Sequence, residues 1–402
     1  MAGNFMNKPN QEKINEVLTR GVENIYPNKE ALEKVLQSGK KIKLYHGIDP
    51  TGPTLHLGHL VQLLKLRQFQ DLGHKVIILI GDFTATIGDP SDQDSARKIL
   101  TRQQVLQNAK DYKGQIFKIL DSQKTIFKYN SEWLDKLKFE DLIKLSAQFT
   151  AQQTLARSMF KKRLAEGKDL YVNEFLYPVF QAYDSVVLDV DLEIGGNDQM
   201  FNMLAGRSLM KKMKGKDKFV LTTKLLEDPT GKKMGKTTGN MVALNDIPKD
   251  IYAKVMSWTD GMILPAFEIA TNVPMAEVIQ IKKDLAGGKN PKILKMLLAY
   301  SIVKMYHGAK EAIAAEENFK QVFEEKLNPD EMPVFKIKKR NIIDVLVETK
   351  LAASNSEARR LISQGGVKVD GKVVKDESFT IGQIDADGVV IQKGKRHFAK
   401  IK

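Results

Sequence analysis

Two histidines three residues apart, His56 and His59, stand in the segment YHGIDPTGPTLHLGHL, which runs from Tyr45 to Leu60. The segment reads as a short strand, a turn rich in glycine and proline, and the start of a helix. A helix start offers unpaired N–H groups and positive potential, which favour phosphate, and Gly58 lets a flat ring approach the backbone. We therefore predict that both histidines donate to phosphate oxygens. Without its context the pair is equally compatible with one solvated and one packed side chain, and it lacks a third metal ligand.

A second cluster, DPTGKKMGKTTGN from Asp228 to Asn240, places lysines between glycines. Such an electropositive loop could close over a triphosphate, with Lys233 and Lys236 neutralising the leaving pyrophosphate. The simpler interpretation is a solvated lysine turn. Because the loop does not match the pattern G-x-x-x-x-G-K-[ST], ordinary P-loop chemistry is disfavoured.

Composition excludes several other kinds of chemistry. The chain of 402 residues has no cysteine, which excludes a disulfide framework, a thiolate zinc site, an iron–sulfur cluster and a cysteine nucleophile. Its six histidines leave little room for a histidine-built site, so no metal site is predicted. The chain has no apolar leader and no run of about 18 apolar residues. These features predict a soluble cytoplasmic protein without a membrane partner.

The formal net charge of +14 attracts polyanions such as nucleic acid and nucleotides, although a basic protein can also be merely soluble. The excess is uneven, because Lys336 to Lys402 carries 15 Lys and Arg against 8 Asp and Glu, half of the whole excess. The segment before it, Asn328 to Phe335, contains two prolines and reads as a linker. We therefore expect a domain boundary near 330–338, followed by a basic module.

The elements that must position these clusters follow a βαβ pattern. Buried-strand runs cover Lys43–Asp49, Lys75–Asp82 and Ser185–Gly196, and a helical pattern from His59 to Gly73 connects the first two. Apolar runs of this kind are typical of a parallel sheet covered on both faces. The fold class is therefore predicted to be α/β, with a Rossmann-like parallel-sheet catalytic domain, an α-helical domain and a small α+β domain.

The predicted domain boundaries follow from the same signals. The catalytic domain covers residues 1–240 with a helical insertion at about 102–166, and a mostly helical domain covers 241–330. Residues 331–337 form the linker. In the last module, 338–402, two helices lead to a hairpin with Asp370 and Gly371 at its turn.

Two short motifs resemble, in their order and separation, the paired HIGH and KMSKS motifs of class I aminoacyl-tRNA synthetases. They are His56-Leu57-Gly58-His59 and Lys233-Met234-Gly235-Lys236-Thr237. The segments Gly81–Ser91, Tyr129–Leu134 and Phe175–Asn202 look like those of tyrosyl-tRNA synthetases, and the resemblance covers nearly the whole chain. The last module resembles the S4 RNA-binding domain of the bacterial type of this family. The resemblance implies a tyrosine–tRNA ligase.

The resemblance also implies where tyrosine binds. Tyr45 and Asp184 match the positions that hydrogen-bond the substrate phenol, and this is physically reasonable because a phenol both donates and accepts. Phenylalanine would leave these buried groups without partners. The substrate ammonium is held in the family at positions that match Asp89, Tyr177 and Gln181 here, and Gln199 lies in the same pocket. Taken singly, these residues also suit turn formers, caps or half-buried core positions.

ATP and tRNA sites are implied in the same way. The residues matched to ATP binding are Gly47, Asp49, Gly58, Gly196, Asp198 and Met234, and those matched to catalysis are Thr51, His56, His59, Lys233 and Lys236. ATP is expected as a substrate with Mg²⁺, and no permanently bound cofactor is expected. Contacts to tRNA are implied for Arg359, Arg360 and Lys368, whose alternative is a solvated basic face.

The implied reaction has two steps. The carboxylate of L-tyrosine attacks the α-phosphate of ATP, which gives tyrosyl-adenylate and pyrophosphate, and the tyrosyl group then passes to the 3′ end of tRNA(Tyr). A carboxylate is already ionised at neutral pH, so the protein must supply positioning and charge stabilisation. The family is homodimeric, and a homodimer is therefore expected.

Two positions depart from the family. The lysine that often follows GDPS is replaced by the stretch Asp92-Gln93-Asp94, with Arg97 nearby, and His46 stands where many relatives have a smaller residue. Two alternative functions remain. One is a tryptophan-specific ligase on the same fold, which Tyr45, Asp184 and the RNA-binding C-terminal module disfavour. The other is a non-catalytic RNA-binding protein, which the intact histidine and lysine motifs disfavour.

Overall fold

The computed structural model describes residues 10–91, 99–228, 230, 241–323, 332–382, 384–385, 388–394 and 397–402. The chain divides into two compact units, which are described separately. The larger unit comprises Met1–Ile247 and Lys254–Gly308, and the smaller comprises Pro248–Ala253 and Ala309–Lys402. Within the described ranges no helix is long and apolar enough to cross a bilayer.

The larger unit is built on a six-stranded sheet. Its strands are β1 (Val22–Tyr26), β2 (Lys43–Ile48), β3 (Lys75–Ile80), β4 (Thr125–Tyr129), β5 (Leu192–Gly196) and β6 (Phe219–Thr223). Their order is β1-β6-β5-β2-β3-β4, with β1 antiparallel to β6 and every other pair parallel. This topology confirms the predicted Rossmann-like parallel sheet.

The connections of β2 create a switch point in the sheet. From β2 the chain adds β3 and β4 on one side, and it later adds β5 and β6 on the other. In such sheets ligands bind beyond the carboxyl ends of the strands, where the order reverses. Here β2 leads directly into Asp49, and β5 leads into Asp198.

Within the described residues, helices are interspersed with and follow the strands up to His307, and the helix Pro248–Met256 has residues in both units. In chain order they are α1 (Gln11–Thr19), α2 (Lys29–Gln37), α3 (Leu57–Asp71), α4 (Arg102–Ala109), α5 (Tyr112–Phe117), α6 (Ser131–Leu134), α7 (Phe139–Ser146), α8 (Ala151–Leu155), α9 (Ser158–Ala165), α10 (Val172–Leu188), α11 (Met200–Lys214), α12 (Pro248–Met256), α13 (Ile263–Ile269), α14 (Met275–Ala286) and α15 (Pro291–His307). The helical character expected between residues 241 and 330 is present in α12 to α15.

Two sequence-based element predictions need correction. The insertion at about 102–166 is not helical throughout, because β4 lies within it and pairs with β3. This strand is short and lies at the sheet edge, where Ile126 is 45% exposed, so it gave no buried-strand signal. The run Ser185–Gly196 is not one strand, because residues up to Leu188 end α10 and Asp189 turns with a left-handed φ of 48°. A short apolar run in a sequence is compatible with either a buried helix or a buried strand.

The smaller unit combines helices with a second sheet. Its elements after α12 are α16 (Ala309–Phe323), β7 (Val334–Phe335), α17 (Ile342–Glu348), α18 (Asn355–Ser363), β8 (Val367–Val369), β9 (Lys372–Val374), β10 (Val389–Lys393) and β11 (His397–Ile401). The sheet order is β7-β11-β10-β8-β9. Strands β8 and β9 form the predicted hairpin, with Asp370 and Gly371 at φ 44° and 78°. This combination of left-handed residues suits a two-residue hairpin turn.

Away from the carboxyl edge of the first sheet, Lys65 on α3 is buried. Its Nζ donates to the carbonyl oxygens of Val17 and Arg20 at 2.8 and 2.7 Å, and to Gln68 Oε1 at 2.7 Å. These bonds satisfy carbonyl groups at and beyond the end of α1, where intrahelical partners run out. Burial, reinforced by the charge of Arg20, lowers the pKa of Lys65 to about 7.

We expect Lys65→Met to lower the free energy of unfolding by about 1–3 kcal/mol, because buried carbonyl groups lose their donor. An unfolded lysine has a pKa of about 10.4, whereas the folded value is about 7. The unfolded chain therefore binds more protons between these values, and wild-type stability rises with pH there. Urea unfolding at pH 7 and pH 9 should show a stability difference that widens with pH. A difference independent of pH would contradict this account.

Candidate active site

A cavity of about 480 Å³ lies at the carboxyl ends of β2 and β5, at the switch point of the sheet. It collects the described residues predicted for tyrosine, ATP and catalysis, which are Tyr45, Gly47, Asp49, Thr51, His56, Gly58, His59, Asp89, Tyr177, Gln181, Asp184, Gly196, Asp198 and Gln199. Residues Lys233, Met234 and Lys236 lie outside the described residues, as does Arg97. The fold thus brings distant segments of the sequence to one place.

His56 and His59 form the cap of helix α3. The Nδ1 atom of His56 accepts from the N–H of Gly58, and the Nδ1 atom of His59 accepts from the N–H of His56, each at 3.1 Å. A ring nitrogen that accepts a hydrogen bond carries no proton, so the proton of each neutral ring is on Nε2. The cap therefore makes Nε2–H the donor of each imidazole, as a phosphate-binding role requires.

The segment that follows the lysine cluster is bonded to the start of α3. The N–H of Leu57 donates to Val242 O at 3.1 Å, and the N–H of Leu244 donates to Leu55 O at 2.8 Å. On the other side of the cluster, Leu226 lines the cavity. The segment after the stretch that contains Lys233 and Lys236 is thus held beside His56, and the segment before it reaches the cavity.

Helix α10 presents three predicted tyrosine-binding residues on one face. Tyr177, Gln181 and Asp184 are spaced by four and three residues, which places them on adjacent turns of the same side. All three line the cavity. Helix α10 packs along α11, which holds the helix in place.

Asp184 is almost completely buried, at 2% exposure. Trp133 Nε1 donates to its Oδ1 at 2.8 Å, and Asn130 Nδ2 donates to its Oδ2 at 3.3 Å. Burial raises the pKa of Asp184 well above its usual range, while these two donors act in the opposite direction. The two donors fix the plane of the carboxyl group in the cavity wall.

Asn130 and Trp133 were not singled out from the sequence, although their segment carried part of the family resemblance. Asn130 is fully buried and follows β4 directly, and its amide also donates to Thr84 Oγ1 at 3.0 Å. A polar residue directly after a strand of a parallel sheet was the available signal. It was lost because β4 itself was not predicted.

Tyr45 on β2 is buried at 1% exposure, and its hydroxyl lies 2.9 Å from Ser185 Oγ. Its ring packs with Ile77 and Leu79 of the neighbouring strand. Burial, with the nearby carboxyl groups of Glu193 and Asp184, raises the pKa of Tyr45 well above its ordinary value. The side chain is therefore a neutral phenol.

A direct hydrogen bond joins the predicted ATP-binding and tyrosine-binding groups. Tyr177 donates from its hydroxyl to Asp49 Oδ2 at 2.9 Å, and Thr84 donates to Asp49 Oδ1 at 2.7 Å. The phenolic proton of Tyr177 thus points to the carboxylate. Toward a ligand the oxygen of Tyr177 can therefore act only as an acceptor.

Gln199 is hydrogen-bonded to the carboxylate of Asp89. Its Nε2 donates to Asp89 Oδ2 at 2.6 Å, and its Oε1 accepts from Asn202 Nδ2 at 3.1 Å. The N–H of Ser91 donates to Asp89 Oδ1 at 2.9 Å. Gln199 therefore positions Asp89, and buried Asn202 is a second supporting residue that the sequence did not indicate.

Two glycines also line the cavity. A methyl group at Gly196 would lie 2.5 Å from Asp198 Oδ1 and 2.9 Å from Leu225 Cδ2, so a side chain there would displace both of these groups. At Gly47 a methyl group would have no atom within 4 Å. The backbone of β2 is therefore open at its carboxyl end, where a flat ligand can approach it closely.

His46, the departure noted above, also lines the cavity. Its Nδ1 lies 2.9 Å from Ile194 O, and its Nε2 is buried without a hydrogen-bond partner in the described part of the chain. Burial lowers the pKa of His46, so the ring is neutral and Nδ1–H donates to the carbonyl. The remaining nitrogen is an acceptor in the cavity wall.

The predicted tRNA contacts lie in the smaller unit. Arg359 and Arg360 are exposed on α18, and Lys368 is half-buried on β8. Arg359 makes an exposed ion pair with Glu377 at 3.4 Å. For metals, the described residues contain no group of three or more His, Asp and Glu side chains arranged to hold an ion.

Comparison with known proteins places this architecture in a family. The family model for class I tRNA synthetases (W and Y) matches residues 37–324, and the model for the SYY-like C-terminal domain of tyrosine–tRNA ligase matches residues 323–401. The tyrosine–tRNA ligase of Thermotoga maritima is 44% identical over 391 residues, covering 96% of each chain. That of Moorella thermoacetica is 43% identical over 392 residues, covering 96% of this chain and 94% of its own.

Solved structures show the same fold. A C-terminally truncated mitochondrial tyrosyl-tRNA synthetase of Aspergillus nidulans aligns with a TM-score of 0.65 and 21% identity over 77% of this chain and 94% of its own. The tyrosyl-tRNA synthetase of Archaeoglobus fulgidus, complexed with L-tyrosine, aligns with a TM-score of 0.60 and 21% identity over 76% and 99%. Together with the sequence matches over nearly its whole length, these findings show that the chain belongs to the tyrosine–tRNA ligase family of class I aminoacyl-tRNA synthetases.

Proposed function

We propose that the protein is a tyrosine–tRNA ligase, which forms tyrosyl-adenylate from L-tyrosine and ATP and then charges tRNA(Tyr). The observation that carries the proposal is that one cavity is lined by two helix-capping histidines and by a buried phenol and carboxyl group. His56 and His59 supply donors suited to phosphate at a helix start. Tyr45 and Asp184 supply the partners that a substrate phenol needs.

Specificity for tyrosine follows from the phenol end of the cavity. Asp184 and Tyr45 are both buried, and Trp133 and Asn130 fix the carboxyl group in place. A substrate hydroxyl would pair with these groups. Phenylalanine would leave them buried and unsatisfied, at a cost of about 1–3 kcal/mol or more.

The ammonium of tyrosine has three N–H donors, and three acceptors are proposed for it. These are the carboxylate of Asp89, the oxygen of Tyr177 and the amide oxygen of Gln181. The structure supports this set of acceptors because the donor groups of Tyr177 and Gln181 are already engaged in hydrogen bonds. Tyr177 donates to Asp49, and the amide of Gln181 donates to Glu193 Oε1 at 3.1 Å.

For adenylate formation, the tyrosine carboxylate attacks the α-phosphate and pyrophosphate leaves. His56 and His59 would donate from Nε2 to phosphate oxygens, with Thr51 nearby. ATP enters as a substrate with Mg²⁺ on its phosphates, which needs no all-protein cage. The adenosine part would lie along Gly47, Asp49, Gly58, Gly196 and Asp198, near Met234.

Lys233 and Lys236 are proposed to neutralise the leaving pyrophosphate. Their own placement lies outside the described residues, but Val242 is bonded to Leu57 at the start of α3. Lys236 is six residues before Val242 in the sequence, and this short separation supports a role at the histidine end of the cavity.

The proposed domain roles follow the predicted boundaries. Residues 1–240 would catalyse the reaction, 241–330 would recognise the anticodon region, and 338–402 would bind tRNA after a linker at 331–337. The reaction belongs to translation, and we place the protein in the cytoplasm.

A homodimer is also proposed, and exposed apolar side chains of the helical insertion support it. Phe139 and Ile143, one turn apart on α7, are 78% and 55% exposed, and Tyr129 on the edge strand β4 is 39% exposed. Large apolar side chains grouped on one helix face favour contact with a partner.

ATP–pyrophosphate exchange tests the function directly, because among the amino acids only tyrosine should support it. In Asp184→Asn, kcat/KM for tyrosine should fall about 10- to 100-fold, since buried polar groups at the phenol end are left without their partners, while the KM for ATP changes little. The matched control is Asp82→Asn, which alters a buried aspartate outside the cavity lining. Exchange with tryptophan, or with no amino acid, would contradict the proposal.

Replacing Arg359, Arg360 and Lys368 together by alanine should raise the KM for tRNA several-fold. Three phosphate contacts would be lost, so the dependence of tRNA binding on salt should also become shallower. Tyrosine-dependent exchange without tRNA should stay at the wild-type rate. An equal loss of exchange and charging would mean that these cations act structurally.

Wild-type protein should sediment at twice the mass of the chain, and Phe139→Glu should shift it toward the monomer, because a charge would be buried in the contact. Analytical ultracentrifugation over a concentration series measures the change. Ile279→Glu on α14, where the native side chain is 53% exposed, is the matched control and should remain dimeric. Monomeric wild-type protein would refute the proposal.

A further inference from the structure

A buried ion pair lies behind the cavity. Lys218, directly before β6, and Glu193 on β5 are ion-paired, with side-chain exposures of 0% and 3%. Removing two charges from water costs more than such a pair usually returns, so stability alone is weak grounds for it. Neither residue belongs to the sequence-predicted site, yet Glu193 lines the cavity.

The carboxylate of Glu193 has a second partner on α10. Its Oε1 accepts from Gln181 Nε2 at 3.1 Å. Because a carboxylate only accepts hydrogen bonds, it must face the NH₂ group of the amide rather than its oxygen. The carbonyl oxygen of Gln181 is thereby left for the cavity that Gln181 lines.

Lys218 holds the carboxylate of Glu193 in this position. Its Nζ donates to Glu193 Oε2 and, at 2.7 Å, to Ser185 Oγ, which itself lies 3.2 Å from the same Oε2. Ser185 is one turn after Gln181 on α10 and also contacts the hydroxyl of Tyr45. Without the lysine, Glu193 would be a buried carboxylate that has lost its ion-pair partner, so the acceptor-only group that orients the amide of Gln181 would no longer be held in place.

We propose that Lys218 and Glu193 are positioning residues for substrate tyrosine, which act by turning the amide oxygen of Gln181 toward the ammonium group. This inference rests on the proposed function and adds to it the reason why Gln181 acts as an acceptor. The ion pair contacts the ammonium only through Gln181. Its loss should therefore affect ligands with an ammonium group more than ligands without one.

The experiment compares L-tyrosine with 3-(4-hydroxyphenyl)propanoate, which lacks the ammonium group, as ligands competing in ATP–pyrophosphate exchange. In Lys218→Met the binding of L-tyrosine should weaken about tenfold, as for the loss of one hydrogen bond to a charged group. The binding of the analogue and the KM for ATP should each change less than about threefold on the same scale. Equal weakening of both ligands, or no weakening of tyrosine binding, would overturn the proposal.

A double variant provides the second measurement. In Lys218→Met/Glu193→Gln no charge is left buried, but the amide at position 193 carries both a donor and an acceptor and does not dictate the orientation of Gln181. Tyrosine binding should stay about tenfold weaker than in the wild type, and a return to within about threefold of wild type would contradict the mechanism. If Lys218→Met does not fold, Glu193→Asp keeps the charges but withdraws the carboxylate by one methylene. It should weaken tyrosine binding selectively, and wild-type binding would overturn the proposal.

Lys65→Met is the matched control, because it removes a buried lysine of the same unit that lies outside the cavity lining. It should lower stability without changing the ratio of the affinities for the two ligands. The wild-type assay separates the two levels of inference. Absence of tyrosine-dependent exchange in the wild type would refute the proposed function, whereas normal exchange with unaffected variants would refute only the role of the ion pair.

Discussion

Asp49, Asp184 and Glu193 are three of the carboxyl groups that line the cavity, and those of Asp184 and Glu193 are buried. A carboxyl group in such surroundings must receive hydrogen bonds or lose its charge. Each one here has donors from the surrounding elements, among them Trp133 for Asp184 and Tyr177 for Asp49. A side chain that donates a hydrogen bond to a carboxylate presents its acceptor atom to the cavity, as Gln181 does beside Glu193. The carboxyl groups of the site thus determine which neighbouring atoms face a ligand as hydrogen-bond acceptors.

The topology explains how these donors meet. The donors and acceptors follow the ends of β2, β4 and β5 or lie on α10, and parallel strands bring their carboxyl ends to one edge. The cap of α3 works in the same way at the phosphate end, because the backbone N–H groups that hold His56 and His59 also fix their tautomers. The donor or acceptor character of each ligand-facing atom is therefore determined by the hydrogen bonds that the same side chain makes with the protein.

Much of this was predictable from sequence, for identifiable reasons. Strand β3 and helix α3 gave strong periodic signals, and Asp184 and His56 carry the family's motif types, so the fold and the main site residues could be placed. Strand β4 was missed because it is short and half-exposed, and Asn130 was missed with it. Lys218 could not be predicted, because a lysine before a strand reads as a solvated charge. Its burial follows only from the pairing of β6 with β5, a contact between residues 25 positions apart in the chain.

The same reasoning separates residues that touch the ligand from residues that orient them. Gln199 was expected in the tyrosine pocket, but both ends of its amide are used, toward Asp89 and Asn202. Gln181 has the same side chain, yet only its NH₂ group is bonded within the described residues, so its oxygen remains for the cavity. Identical side chains in one cavity therefore have different roles. The difference comes from whether the neighbouring element supplies an acceptor alone, as Glu193 does, or an acceptor and a donor together.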